Sequence, residues 1–136
     1  MATTYPPGLT IHETTVPVYS PWIQSLLQEI TRALQSLLDL RVTHCIDLTH
    51  LPLTPNDRQV LQQILGEGEV RVDIGVLGKT AILETAVSGV WWVRHYEPGG
   101  GLVSELLEMA LVPEIVETQL MDVQESLTKL HSGVCS

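Results

Sequence analysis

The hydrophobic period changes once, and sharply, in TPNDRQVLQQILGEGEVRVDIGV at positions 54–76. Up to Leu65 the apolar residues Val60, Leu61, Ile64 and Leu65 recur at helical spacing. From Val70 the series Val70, Val72, Ile74 and Val76 alternates with polar residues and glycine. A period near 3.6 gives an amphipathic helix and a period of 2 gives a half-buried strand. The chain must therefore carry a helix and a sheet joined by the corner Gly66-Glu67-Gly68-Glu69. The helix start is punctuated too. Thr54 stands as N-cap, Pro55 at the first helical position, and Asp57 where its carboxylate can return to the Thr54 amide. Gly66 stands where a helix exit favours a left-handed residue.

The remaining elements follow from the same signals. Ser20-Pro21 starts a long helix whose apolar residues, from Trp22 to Leu38, predict a buried stripe to about Leu40. Residues 1–19 predict an extended arm, with a short strand possible at Leu9–His12. Val42–Leu48 predicts a short strand carrying Cys45. Beyond the glycine-glutamate corner, turns at Leu77-Gly78-Lys79, Ser88-Gly89 and Pro98-Gly99-Gly100-Gly101 separate strands at Thr80–Ala86, Val90–Glu97 and Leu102–Leu111. Asp122 and Glu125 have capping-box spacing, and Val123, Leu127 and Leu130 mark a final helix ended by Gly133. The expectation is an α+β fold: an antiparallel four-stranded meander packed against the long N-terminal helix, with a short second helix and a C-terminal helix. Residues 20–133 form the single domain and 134–136 a tail.

Charge limits the partners. The chain carries 16 acidic and 7 basic residues, a formal net charge of −9, with no basic cluster. Nucleic-acid backbones need the opposite balance. No apolar run approaches a membrane span and no secretory signal is visible, so membrane insertion is not expected and the cytoplasm is the default location. Cys45 and Cys135 form no CxxC unit. His44, Cys45, Asp47 and His50 contain metal-binding residue types, but their spacing fits no standard ligand pattern. Cys45 reads as a small buried hydrophobe, and a pairing with His95 for nucleophilic chemistry has no supporting motif. No metal and no cofactor is expected. The glycine triplet at 99–101 precedes a strand and lacks the lysine of a phosphate loop.

Two features point to binding. Glu67 and Glu69, two residues apart beside glycines, are either solvated carboxylates on a structural corner or contacts for a partner; a weak metal site is the third reading. In the strand at 90–96, alternation separates Trp91 and Val93 from Trp92, Arg94 and Tyr96. If Trp91 fills the core beneath the long helix, Trp92, Arg94 and Tyr96 stand on the opposite face. Tryptophan, tyrosine and arginine dominate interface hot spots; cross-strand packing on a sheet face is the alternative.

Three segments, LPLTPNDRQVLQQILGEGEV at 51–70, GVWWVRHY at 89–96 and LVPEIV at 111–116, together resemble the HupH/HyaF family of NiFe-hydrogenase expression and formation proteins. The resemblance implies an accessory, chaperone-like protein of hydrogenase maturation and no catalysis. The implied partner is a hydrogenase subunit precursor, chiefly that of the small iron-sulfur subunit, or another maturation factor. Its leader in many such enzymes carries paired arginines, which an acidic surface can hold. Longer members carry two related copies of the domain, so one copy here implies a minimal monomer or a homodimer that restores the pair. Of the motif positions, Thr54, Pro55, Asp57, Gly66, Gly68, Gly89, Trp91 and Pro113 read as structural. Glu67, Glu69 and Glu114 remain as unexplained polar positions, and join Trp92, Arg94 and Tyr96 as the expected partner-binding set. The competing readings are a metal carrier or Cys/His-dependent enzyme centred on Cys45 and nearby histidines, and a purely structural homodimeric scaffold.

Overall fold

Two capped helices fix the first half of the chain in the computed structural model, which describes residues 19–75 and 78–133. The expected arm, Tyr19 excepted, and the tail at 134–136 lie outside the described residues. Helix α1 spans Pro21–Leu40, and the Ser20 hydroxyl accepts the Ile23 amide at 3.3 Å. Helix α2 spans Pro55–Leu65 and opens on the capping box that the spacing predicts. The Asp57 amide donates to the Thr54 hydroxyl at 3.0 Å, and the Thr54 amide donates to the Asp57 carboxylate at 3.1 Å.

Asp57 does more than close its own helix. The Thr54 amide, and then the Ser20 hydroxyl that caps α1, hold its carboxyl below the usual carboxylate range. A carboxyl whose pKa is lowered by folding stabilises the folded state above its unfolded value of about 3.9. That stabilisation is lost as pH falls through the lower folded value. Asp47, bonded to Thr49, and Asp73, bonded to Arg71, are lowered in the same direction. Acid unfolding of Asp57→Asn is therefore expected to show a shallower limb below about pH 4 than the parent chain, with part of the slope retained through the other two. Circular dichroism against pH at fixed urea measures it, and superimposable limbs would deny Asp57 the role.

The sheet corrects the expected four-stranded meander. It has five strands: β1 His44–Asp47, β2 Arg71–Ile74, β3 Lys79–Glu84, β4 Val90–Tyr96 and β5 Leu102–Met109. Their spatial order is β1-β5-β4-β3-β2, antiparallel throughout. Strands β2 to β5 follow one another through short turns as alternation and glycines predict. The first strand does not precede β2 in space. It pairs with the last, Ile46 facing Leu107 and His44 facing Met109. Four residues with one buried side chain, Ile46, carry too little pattern to specify such a long-range partner.

The core lies between the sheet and the two helices. Ile23, Leu26, Ile30 and Ala33 of α1 and Leu61 and Leu65 of α2 pack on Ile46, Val90, Trp92, Leu107 and Met109. The tryptophan assignment is thereby reversed: Trp92, 5% exposed, lies under the helices. Trp91 joins Ile82 and Val93 in a second cluster on the opposite face, its indole N–H donating to the Ala110 carbonyl at 3.1 Å. Alternation separates the two rings without saying which is inside. Gly89 helps to decide, because a Cβ there would stand 3.2 Å from Leu34 Cδ2 of α1. The turn before Val90 thus lies directly beneath the helix, and Val90, Trp92 and Arg94 share its side of the sheet.

The C-terminal segment makes a short 3₁₀ turn at Glu114–Val116 and then helix α3, Leu120–His131. The expected cap at Asp122 is corrected: α3 begins earlier, Gln119 is the N-cap, and Asp122 sits in the first turn. There a carboxylate is favoured by the helix dipole rather than by a capping bond.

Candidate functional site

The corner between α2 and β2 forms one wall of a groove on the helix side of the sheet. Gly66 leaves α2 at φ 66° and ψ −166°, which differs from the left-handed exit the sequence predicts and lies in a region almost restricted to glycine. The chain is then stitched to the end of β3. The Ala86 amide donates to Leu65 O at 2.8 Å, the Gly68 amide to Glu84 O at 2.9 Å, and the Glu84 amide to Val70 O at 2.9 Å. The Glu69 amide adds a bond to the Glu84 carboxylate at 3.1 Å. A Cβ on Gly68 would lie 2.6 Å from the Thr85 carbonyl oxygen. Both glycines are there because the corner is tight, and the effect is to present Glu67 and Glu69 outward.

The groove has a volume of about 390 Å³, with Glu67, Glu69, Arg71, Glu84, Trp92 and Arg94 among its lining residues. Arg71 is engaged by Asp73 at 3.0 and 3.2 Å, which raises the arginine and lowers the carboxyl. Arg94 is engaged twice. Its guanidinium lies 4.9 Å from the Trp92 ring centroid, a cation–π contact. Its Nε donates to Glu105 Oε2 at 2.7 Å. Glu67 and Glu69 are exposed and make no ion pair among the described residues.

Glu105 is the residue that the sequence reading missed. It is 3% exposed and accepts from Arg58 of α2 as well as from Arg94 of β4. Its backbone is tied to the β1 end as well: the Glu105 amide donates to the Thr49 hydroxyl at 2.9 Å, and the Leu48 amide donates to Glu105 O at 2.9 Å. A buried carboxylate needs such partners. Its signal was available, since Glu105 alternates in phase with the core residues Leu107 and Met109.

The expected partner-binding residues therefore divide three ways. Glu67, Glu69, Trp92 and Arg94 meet in the groove, although buried Trp92 serves chiefly as the platform for Arg94. Tyr96 lines a neighbouring depression with Arg71 and Lys79. Glu114 lies on the other side of the sheet with Cys45, Val93 and Glu108. Its amide donates to the buried Glu108 carboxylate at 2.8 Å, which anchors the segment after Pro113. Cys45 is not the buried hydrophobe expected from sequence; it is exposed. Partial burial, then the carboxylates of Glu108 and Glu114, push its thiol pKa up, opposite to what a thiolate nucleophile requires. His95 Nδ1 is bonded to the Thr80 hydroxyl at 2.8 Å, and His44 to Glu29 at 2.7 Å. No group of three or more His, Cys, Asp or Glu among the described residues is placed to hold a metal ion. No described helix is long and apolar enough to cross a membrane.

Comparison with known proteins fits this architecture. Residues 23–134 match the family described as HupH hydrogenase expression protein, C-terminal conserved region. The hydrogenase expression/formation protein HoxQ of Azotobacter vinelandii is 31% identical over 92 residues, which are 68% of this chain and 32% of the relative. Hydrogenase expression/formation protein HupQ of Azotobacter chroococcum mcd 1 is 36% identical over 96 residues, 71% of this chain and 33% of the relative. This chain thus spans about a third of the length of these curated relatives. The solved structure of hydrogenase expression protein HupH from Thiobacillus denitrificans ATCC 25259 superposes with a TM-score of 0.75 at 38% identity, covering 83% of this chain and 94% of that one. With the profile matched from the first turn of α1 to beyond α3, and the fold shared with a solved member over 83% of the chain, the chain belongs to the HupH/HyaF/HoxQ family of hydrogenase expression proteins.

Proposed function

We propose that this protein is a non-catalytic accessory factor of NiFe-hydrogenase maturation that holds a subunit precursor through the groove beside the Gly66–Glu69 corner. The observation that carries the reading is the pair of exposed carboxylates, Glu67 and Glu69, on a corner fixed by backbone hydrogen bonds. Arg71 and Arg94, the groove's cations, are already paired with Asp73 and Glu105. What remains on the rim is negative, in a chain of net charge −9, and a basic extended segment is its electrostatic complement. The precursor of the small iron-sulfur subunit, with paired arginines in its leader, is the client proposed, and the cytoplasm is where such a precursor would be met. Tyr96 and the exposed side of Arg94 extend the contact along the sheet. The raised Cys45 thiol and the Thr80-bound His95 disfavour the competing Cys/His enzyme.

Capture of the precursor with and without its leader, at low and high salt, tests this. Binding is expected to need the leader and to weaken as salt rises. Glu67→Gln with Glu69→Gln is expected to weaken it several-fold and to flatten the salt dependence, since rim charges act mainly through long-range attraction. Leader-independent, salt-insensitive binding would overturn the proposal.

A further inference from the structure

Strand β5 carries two buried carboxylates, one on each face of the sheet. Glu105, on the helix side, has its cations in Arg58 and Arg94. Glu108 is nearly as buried, 6% exposed, and faces the other way, between Cys45 of β1 and Trp91 of β4. Its Oε2 accepts the Glu114 amide at 2.8 Å, but no ion pair neutralises it among the described residues. No lysine or arginine elsewhere in the chain can do so. All seven lie among the described residues. Arg58 and Arg94 are committed to Glu105, Arg71 to Asp73 and Lys129 to Glu125. Arg32, Arg41 and Lys79 form no ion pair among the described residues. Buried charges are normally paired, because leaving one without a counter-charge is costly.

Glu108 opens into a depression of about 710 Å³ on the face of the sheet opposite α1 and α2. The sheet contributes Val93 and Leu106 to it, and the segment after Pro113 contributes Glu114, Ile115, Val116 and Glu117. No lysine or arginine lines it, whereas the groove beside Glu67 and the depression at Tyr96 each hold two. The negative field is felt by a neighbour: after burial, the Glu108 and Glu114 carboxylates are what raise the Cys45 thiol. A guanidinium or ammonium group from outside the chain is the electrostatic complement of this site. Apolar side chains beside that cation would meet Leu106, Ile115 and Val116. A second copy fits poorly, because a two-fold pairing of this face sets the carboxylates of one depression against those of the other.

We propose that this depression docks a segment of a partner protein that presents a lysine or arginine between apolar side chains, with Glu108 as the buried counter-charge. Glu114 then serves twice. Its amide orients the Glu108 carboxylate, and its own carboxylate, with that of Glu117, adds to the negative rim. The site lies across the sheet from the groove beside Glu67 and Glu69, so the two can be occupied together and either reading can fail alone.

Nuclear magnetic resonance titration of the isotope-labelled full chain tests it, the probe being an acetylated, amidated peptide with one arginine between leucines. Shifts are expected at Cys45, Val93, Leu106 and Glu108. Replacing the peptide's arginine by citrulline, its uncharged isostere, is expected to weaken binding at least about tenfold. Glu108→Gln should weaken the arginine peptide as much and abolish its advantage over citrulline. That variant still accepts the Glu114 amide and removes an unpaired charge, so its thermal midpoint should not fall below the parent's. Ile115→Ser, at a position 48% exposed, is expected to weaken the peptide several-fold without disturbing the fold. Equal affinity for the two peptides, shifts confined to the Glu67 groove, or a lowered midpoint for Glu108→Gln overturns the proposal. So does movement of the same resonances with protein concentration alone, which would seat a second copy there.

Discussion

Glu105→Ala is expected to lower the stability of the fold by about 2–4 kcal/mol, read as an earlier urea midpoint in tryptophan fluorescence. The carboxylate is the shared partner of Arg58 and Arg94, whose side chains are 36% and 19% exposed. Its loss leaves two guanidinium groups facing each other across a small cavity. Arg94, stacked on Trp92, has little freedom to reach water. Removing one member of a fully buried ion pair costs about 3–5 kcal/mol, and the exposure of Arg58 reduces that figure. Glu105→Gln, which retains acceptor capacity without the charge, should fall between. Arg58→Ala should cost less than Glu105→Ala, since Glu105 keeps Arg94. An unchanged midpoint for Glu105→Ala would mean that the guanidinium groups find other partners and that the cluster does not hold α2 to the sheet.

The second large effect is expected at the glycines of the corner. A Cβ at Gly68 would meet the Thr85 carbonyl at 2.6 Å and the Glu84 carboxylate at 2.7 Å. The carboxylate can swing away, but the carbonyl belongs to a backbone held at both ends. Thr85 is 2% exposed, and its hydroxyl donates to Val90 O at 2.9 Å. Gly68→Ala is therefore expected to cost about 1–3 kcal/mol as overpacking. Gly66→Ala adds backbone strain of about 1–3 kcal/mol to a contact of 2.9 Å with Ala86 Cβ. Exposed Glu67→Ala and Glu69→Ala should stay within about 0.5 kcal/mol of the parent. Urea titrations of the four variants separate the structural half of the motif from the half available to a partner. Equal losses at glycines and glutamates would refute that division.

Local chemistry was legible in the sequence, and long-range placement was not. The Thr54–Asp57 box, the proline starts of α1 and α2 and the change of period at Gly66 each depend on neighbours within a few residues. Spacing therefore revealed them. The pairing of β1 with β5 depends on surfaces far apart in the chain, and the residues His44–Asp47 carry no pattern that names a partner. The tryptophan faces failed for a related reason. Alternation fixes relative phase, while the choice of face is made by where α1 lands, against Gly89 and Leu107. At the candidate site, the glutamates and Arg94 were visible as motif or hot-spot residues. The carboxylate that holds Arg94 was not recognised, because it lies outside the conspicuous motifs and its meaning emerges only when β4, β5 and α2 converge.

The junction of first and last strands has a consequence for synthesis. A ribosome delivers α1 and β1 early, but Ile46 finds its place only when Leu107 has emerged. At ~5–20 residues per second the N-terminal half spends several seconds outside the exit tunnel with its apolar helix face uncovered. The Trp92 platform that α1 is built to cover is translated late in that interval. Closure of this fold waits on its last strand, and until then the nascent chain is itself a client for whatever shields unfinished proteins.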